Sequence, residues 1–511
     1  MRRPRCVGIP WLHLRHFGSG SASMLSRQEL NRKIVAGAFW AHLAFVSTKL
    51  IALLNMAVLA RVLGTDDFGL IAAGLTVLAL LESLSEGGVG ASVVWHRQEP
   101  EKTAAVAMAI SLIGALLIGG AAFLAAPIIS EVFFDHRSVD IIRALSVCLL
   151  LSGPSSVFVG ILQRDLAFRK RIVPEILKAL TKTMIGIVLA FSGFGAWSLI
   201  YGHIVGMVVG LLALWWLSGW SPRLSLDRKI VSEILPFGLQ LTIVGILSIL
   251  CRNADYMLIG HFFDVATLGV YALAFTLTDQ IILGICWAAS QALFPAYGAI
   301  QADLPALRRS YEDSLVGIAA LTLPAAAGLM IVADPFVRVL YGEKWTDVIP
   351  VVQVLTIYAM LHSISFNLGD LFKAIGRPSV LTWTNILSLI LAPMIAIVST
   401  RWGIVGFVIG QIGLTIGISF LRLKVAEKLV GIGPAIFARS LKGPLFSTAM
   451  MIAATAGVEH LAHFQSPTIK LVVLVVVGFV SYGLVLSITS PSLFSAFTAL
   501  TRAKRQQLLL P

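Results

Sequence analysis

Charge is what this sequence lacks most. Asp, Glu, Lys and Arg make up 13% of its 511 residues, against roughly 25% in soluble domains. A soluble chain of this length could not cover its surface with so few charges, which excludes a soluble multidomain enzyme. Disorder is excluded as well, because 57% of the residues are hydrophobic and disordered chains are poor in them. Cysteine is scarce: Cys6, Cys148, Cys251 and Cys286 are the four. Three of these lie in apolar runs and no two share a metal-site spacing, so they read as small core residues. A GxxxxGK[ST] phosphate loop is missing, and so is any His/Asp/Glu cluster with metal spacing; the chain is not expected to hydrolyse ATP by itself or to hold a metal. Between the apolar runs no loop is much longer than roughly 20 residues. That leaves no room for a soluble catalytic domain, so catalytic residues are not expected and the chain does not read as an enzyme.

Long apolar runs are present in their place. A bilayer is crossed by about 20 mostly apolar residues, and such runs occur at 34–60, 69–94, 104–130, 141–163, 172–192, 195–217, 235–260, 267–292, 314–333, 348–371, 379–400, 403–423, 443–463 and 470–490. The predicted fold class is an all-α polytopic membrane protein with about fourteen transmembrane helices. A β-barrel would show ten-residue alternation instead. Lys and Arg collect on the cytoplasmic side of membrane proteins. With the N-terminus placed inside, only Arg61, Arg137, Arg338, Lys344, Arg401 and Lys470 fall in outside segments, and Lys49, Arg143, Lys178, Lys182 and Arg252 fall within spans. All the other Lys and Arg are inside. Both termini are therefore expected in the cytoplasm, and the net charge of +13 reflects topology, not nucleic-acid binding. Residues 1–33 read as a cytoplasmic leader, with Met24 as an alternative start, and 491–511 as a cytoplasmic tail.

The chain also repeats itself. At a shift of about 200, LLNMAVLARVLGTDDFGLIAAG aligns with NADYMLIGHFFDVATLGVYALA, so that Asn55 meets Asp255, Gly69 meets Gly269 and Ala72 meets Ala272. The sixth and twelfth spans match too, GAWSLIYGHIVG with GIVGFVIGQIG. Both carry glycine ladders, Gly202, Gly206 and Gly210 in one and Gly406, Gly410, Gly413 and Gly417 in the other, which let helix backbones approach closely in lipid. The matching pieces are six spans apart, so orientation is preserved and the repeat is parallel. Two pseudo-symmetric six-helix bundles are expected at 34–217 and 235–423, joined by a linker at 218–234. A second linker at 424–442 would lead to two appended helices within 443–490.

The stretches ARVLGTDDFGLIA, ADYMLIGHFFDVATLGVYALA, ALFPAYGAIQADLPALRRSY and LPAAAGLMIVADPFVRVLYGEKWTDVIPVVQVL resemble the polysaccharide transporter branch of the multidrug/oligosaccharidyl-lipid/polysaccharide flippase superfamily, which includes Wzx-type flippases and colanic-acid exporters. The motif at Gly342, Glu343, Lys344 and Trp345 is the most specific of these. The resemblance implies a bacterial inner-membrane location and export of a polyprenyl-diphosphate-linked oligosaccharide by alternating access, for lipopolysaccharide, exopolysaccharide or capsule biosynthesis. It implies no bound cofactor but coupling to a Na⁺ or H⁺ gradient. Its implied partners are the lipid-linked glycan, membrane lipids, and polysaccharide polymerase and export machinery.

Charges inside spans cost at least about 2.5–3.5 kcal/mol and normally face a cavity or a partner. In the fifth span, Arg171, Glu175, Lys178 and Lys182 step by four, three and four, which puts them on one helix face. At 1.5 Å per residue Lys178 lies about 10 Å and Lys182 about 16 Å from Arg171, a basic ladder reaching mid-membrane that suits a diphosphate or acidic-sugar head group. The bland alternative pairs Glu175 with Lys178 and leaves Lys182 snorkelling. Lys49 either lines the same cavity or pairs with Glu82 or Glu86. Arg252 either lines it or pairs with Asp255, three residues on. Asp255, Asp279, Glu82 and Glu86 are the candidate groups for ion coupling. His203 and His362 read as packing or helix–helix hydrogen-bonding residues ahead of proton relays, and Pro154, Pro174, Pro236, Pro324 and Pro350 as candidate kinks. Two other functions fit less well: an ion-coupled exporter of drugs or small metabolites, which would prefer an acidic cavity, and a membrane glycan polymerase or ligase, which would need a large outside loop.

Overall fold

The computed structural model describes residues 49–489 apart from residues 50, 87, 97, 166 and 463; the leader, the first part of the first span and the tail fall outside them. Fourteen helical segments follow one another through the described residues: α1 (Ile51–Val62), α2 (Thr65–Trp95), α3 (Pro100–Phe133), α4 (His136–Ser146 and Leu149–Arg164), α5 (Phe168–Phe191), α6 (Ala196–Ser218), α7 (Arg228–Phe262), α8 (Val265–Ala299), α9 (Leu304–Leu340), α10 (Val348–Ala374), α11 (Ser379–Ser399), α12 (Gly403–Val430), α13 (Pro434–Leu461) and α14 (Pro467–Thr489). Helices dominate because in lipid each backbone N–H must be satisfied within its own segment. The exterior agrees: Trp216 is 81% exposed, Phe479 82% and Leu124 78%. Only lipid solvates an apolar surface of this extent without cost.

Side chains set the helix ends. Asp227, Asp264 and Asp303 precede α7, α8 and α9, and each accepts a backbone N–H of the first turn at 2.9–3.0 Å, as N-caps do. The helices run further than the hydrophobic runs suggested. α9 has 37 residues and is about 55 Å long at 1.5 Å per residue, well beyond the 30 Å core. The expected linker at 424–442 is helical except for 431–433. Lys424 and Glu427 pair at 2.9 Å across one turn, and such charges favour helix as well as Leu does. Hydropathy marks where a helix leaves lipid, not where it ends. For the same reason α7 begins at Arg228, inside the expected 218–234 linker.

Three spans are irregular. α2 breaks at Gly88, whose φ of 60° is left-handed. α4 bends by 41° between Ser146 and Leu149, several residues before Pro154. α8 contains a π-helical turn at Asp279–Leu283, of the kind often found at functional sites. Pro350 lies in the first turn of α10, where a missing N–H costs nothing, so it kinks no helix.

The repeat is visible in space. At one end of the molecule α2 and α8 cross backbone to backbone at Gly69 and Gly269. A Cβ at Gly69 would collide with the Val265 carbonyl, and one at Gly269 with the Thr65 carbonyl. Thr65 and Val265 are themselves related by the shift of 200, so the contact is reciprocal about a pseudo-two-fold axis. The bundles are not independent there: Met56, Ala60, Ala72 and Ala73 share one core with Leu268, Leu273, Leu277 and Trp345. This end carries the few Arg and Lys assigned to outside loops and is called the sparse end below; the other is the basic end. α13 and α14 pack against each other and against α9, with the Tyr482 hydroxyl donating to the Ala320 carbonyl at 2.7 Å.

Candidate functional site: two polar cavities along α5

The glycine ladder of α6 positions the lysines of α5. A Cβ at Gly202 would stand 2.7 Å from the Lys182 carbonyl, one at Gly206 2.9 Å from the Lys178 carbonyl and one at Gly210 3.3 Å from the Lys178 Cβ. α6 therefore lies directly on the α5 backbone, and the ladder does what small residues do in lipid. In α12 the analogous role falls to Gly406 and Gly410, which contact Ser399 at the end of α11; Gly413 and Gly417 have nothing within 4 Å. The second ladder is thus half the length expected.

Two cavities of about 560 Å³ each lie along α5. The first is lined by Glu82, Ser83, Ser152, Ser155, Ser156, Gln163, Arg171, Glu175, Lys178 and Thr242. The second lies between the halves and is lined by Lys49, Asn55, Lys182, His203, Arg252, Asn253, Tyr256, Asp279 and Gln280. The ladder is therefore divided: Arg171, Glu175 and Lys178 face one chamber and Lys182 the next. In the first chamber the cations Arg171 and Lys178 are balanced by Glu82 and Glu175. In the second, Lys49, Lys182 and Arg252 face the carboxylate of Asp279, an excess of positive charge with low-dielectric walls that favours an anion.

The pairings differ from those expected. Lys49 donates to Asp279 on α8 at 3.3 Å, a partner that its spacing from Glu82 and Glu86 on α2 did not suggest. The pair joins the first half to the second, which no local spacing could show. Glu82 faces the first cavity, and the side chain of Glu86 lies outside the described residues. Arg252 and Asp255 are not an ion pair among the described residues. Asp255 accepts the Tyr271 hydroxyl and the Tyr256 N–H, and the Arg252 guanidinium lies 5.5 Å from the Trp287 ring centre. Three residues along a helix place two side chains near each other only if neither finds a better partner. On α5 it is Arg171 that meets Glu175, at 3.5 Å, not Lys178.

Sequence reasoning missed Asn55, Gln280 and the three serines of α4. Asn55 and Gln280 each have a buried oxygen without a partner among the described residues. Both nitrogens of His203 are in the same condition, and this residue lines the second cavity. The serines had a signal in the run LSGPSS, polar residues one turn apart in an apolar span.

The Gly342–Trp345 motif lines neither cavity and sits at the sparse end, where Trp345 packs behind Phe68 of the second cavity's wall. Lys344 donates to the Arg61 and Leu63 carbonyls at 3.0 and 2.7 Å, and the Trp345 indole donates to the Ala60 carbonyl at 2.7 Å. Burial lowers the Lys344 pKa below the ordinary lysine value, and nearby Asp67 opposes the shift.

An internally duplicated, all-helical membrane protein with polar chambers between and within its halves has the architecture of a transporter. Residues 58–350, more than half of the chain, match the family described as polysaccharide biosynthesis protein, and the chain belongs to that family. It is 27% identical over 403 residues to the lipopolysaccharide biosynthesis protein WzxC of Escherichia coli K12, covering 78% of this chain and 80% of that one. It is 24% identical over 483 residues to the succinoglycan biosynthesis transport protein ExoT of Rhizobium meliloti, covering 91% and 95%. Among solved structures, the lipid II flippase MurJ in an inward closed conformation superposes with a TM-score of 0.74 at 13% identity, covering 88% of this chain and 99% of that one. An inward-facing multidrug MATE transporter superposes with a TM-score of 0.61 at 19% identity, covering 75% and 96%. These likenesses define the fold.

Proposed function

We propose that this protein is a flippase that moves a polyprenyl-diphosphate-linked oligosaccharide across the bacterial inner membrane by alternating access, with both termini in the cytoplasm. It acts in the biosynthesis of a surface or secreted polysaccharide. The carrying observation is the division of the α5 ladder between two chambers. The diphosphate head group enters from the basic end past Arg171 and Lys178, then meets the excess positive charge around Lys182 and Arg252, while the polyprenyl tail stays in lipid. The names of the relatives, which include a lipopolysaccharide and a succinoglycan protein, support the substrate class. Polysaccharide polymerase and export machinery would take the product on.

Ion coupling belongs to the same proposal. Asp279 already accepts from an ammonium, and Asp255 from a phenol and a backbone N–H. These two carboxylates are the candidate coupling groups for Na⁺ or H⁺, and Glu82 in the first chamber is the third candidate. The test is replacement of Lys178 and Lys182 together by Ala in a host deleted for its own copy. Glycan export is expected to fall at least tenfold at normal protein level; wild-type export would refute the role assigned to α5.

A further inference from the structure

The Gly342–Trp345 motif lines neither chamber, and the structure gives it a task. At the sparse end the first helix of each half caps the third helix of the other half. The Arg61 guanidinium, at the end of α1, donates from Nε to the Leu340 carbonyl at 2.9 Å and from Nη2 to the Val339 carbonyl, at the end of α9. In return, Lys344 and Trp345 satisfy the carbonyls of Ala60, Arg61 and Leu63 at the end of α1. The Trp345 ring also meets Phe68 edge-on at 5.2 Å. The last four carbonyls of a helix have no partner within it, so each helix end here is completed by the opposite half.

The pseudo-symmetric counterpart is the pairing of α7 with α3. His261 stands 200 residues after Arg61, as Gly260 does after Ala60. The His261 Nδ1 lies 2.6 Å from the Val132 carbonyl, at the end of α3, and that contact requires the proton on Nδ1. Gly260 admits the Phe134 ring and the Phe133 carbonyl, which a Cβ would meet at 2.4–2.5 Å. Nothing on the α3 side answers to Lys344 and Trp345 among the described residues. Among the described residues one clasp therefore has five hydrogen bonds, four of them from permanently or ordinarily charged donors, and the other has a single bond from an imidazole. Charged donors make the stronger hydrogen bonds.

We propose that the sparse end opens unevenly: the α3–α7 clasp parts first, while the α1–α9 clasp holds and serves as the hinge. The Gly342–Trp345 motif is then a hinge pin that keeps one helix of each half together through the cycle, and the exit forms on the α3–α7 side. The inference rests on the flippase reading. It goes beyond that reading by naming which seam opens.

The test locks each seam in turn. His261→Cys with Val132→Cys, and separately Arg61→Cys with Leu340→Cys, are introduced into the full chain in the deletion host. A short bis-methanethiosulfonate bridges each pair, and glycan export is compared before bridging, after it, and after reduction with dithiothreitol. Comparing each protein with its own reduced form separates locking from misfolding. Bridging α3 to α7 is expected to lower export at least tenfold and reduction to restore it. Bridging α1 to α9 is expected to leave at least half. Equal loss in both, equal tolerance of both, or the reverse order would overturn the proposal. Normal export in the deletion host without any copy would instead refute the flippase reading.

Discussion

The contact between Lys49 and Asp279 lends itself to a quantitative test, because it joins the first half, two residues before α1, to α8 of the second inside the chamber between them. At 3.3 Å and an effective dielectric of about 20, Coulomb's law gives an attraction of about 5 kcal/mol. The side chains are 31% and 29% exposed, so water in the chamber screens part of it. Desolvation of both charges opposes it further, and the net coupling should be on the order of 1–3 kcal/mol. Asp279→Asn and Lys49→Met each remove the pair and leave one polar group in a mostly apolar wall. Each should lower the thermal unfolding midpoint of the purified protein. The exchanged pair, Lys49→Asp with Asp279→Lys, restores opposite charges across the same gap and should recover most of the loss. A double-mutant cycle measured by fluorescence-detected unfolding gives the coupling directly. A coupling below about 0.3 kcal/mol, the additivity seen between independent sites, would refute the bond as a tie between halves. So would an exchanged pair no more stable than the single variants.

Other expectations follow from the packing. Gly206→Leu would push α5 off α6, since even a Cβ there stands 2.9 Å from the Lys178 carbonyl; overpacking of this kind costs about 1–3 kcal/mol, and a lower unfolding midpoint with reduced export should both be seen. The α12 ladder should show opposite signs: Gly410→Ala meets Ser399 and Ile395 at 2.8 Å and lowers the midpoint. Gly413→Ala meets nothing and should raise it, because Ala is better than Gly in a helix by about 0.5–1 kcal/mol. Gly69→Val should abolish the α2–α8 crossing and leave little folded protein on size-exclusion chromatography. Trp345→Phe keeps the ring but strands the Ala60 carbonyl; unfolding measurements should report a loss of about 1–3 kcal/mol.

The sequence by itself determined the class of protein, the number of spans and their repeat. These follow from period and composition, which are local properties: an apolar run of spanning length must be helical in lipid, and a repeated run must repeat its helix. Gly69 and Gly269 could be matched by spacing alone, and so could the face of α5 that bears Lys178 and Lys182. Who pairs with whom was decided only by the tertiary structure. Lys49 sits 230 residues from Asp279 and Trp345 sits 285 from Ala60, and neither distance leaves a trace in periodicity. The ladder read as one continuous path is split, with Arg171, Glu175 and Lys178 lining one chamber and Lys182 the other, and Arg252 turns to Trp287 because that ring, not Asp255, is what the fold places beside it. Helix ends were misplaced for a related reason: hydropathy reports the solvent around a segment, whereas a helix stops where its last carbonyls find other donors. At the sparse end those donors come from the other half of the molecule, a contact that exists only once both halves have folded against each other.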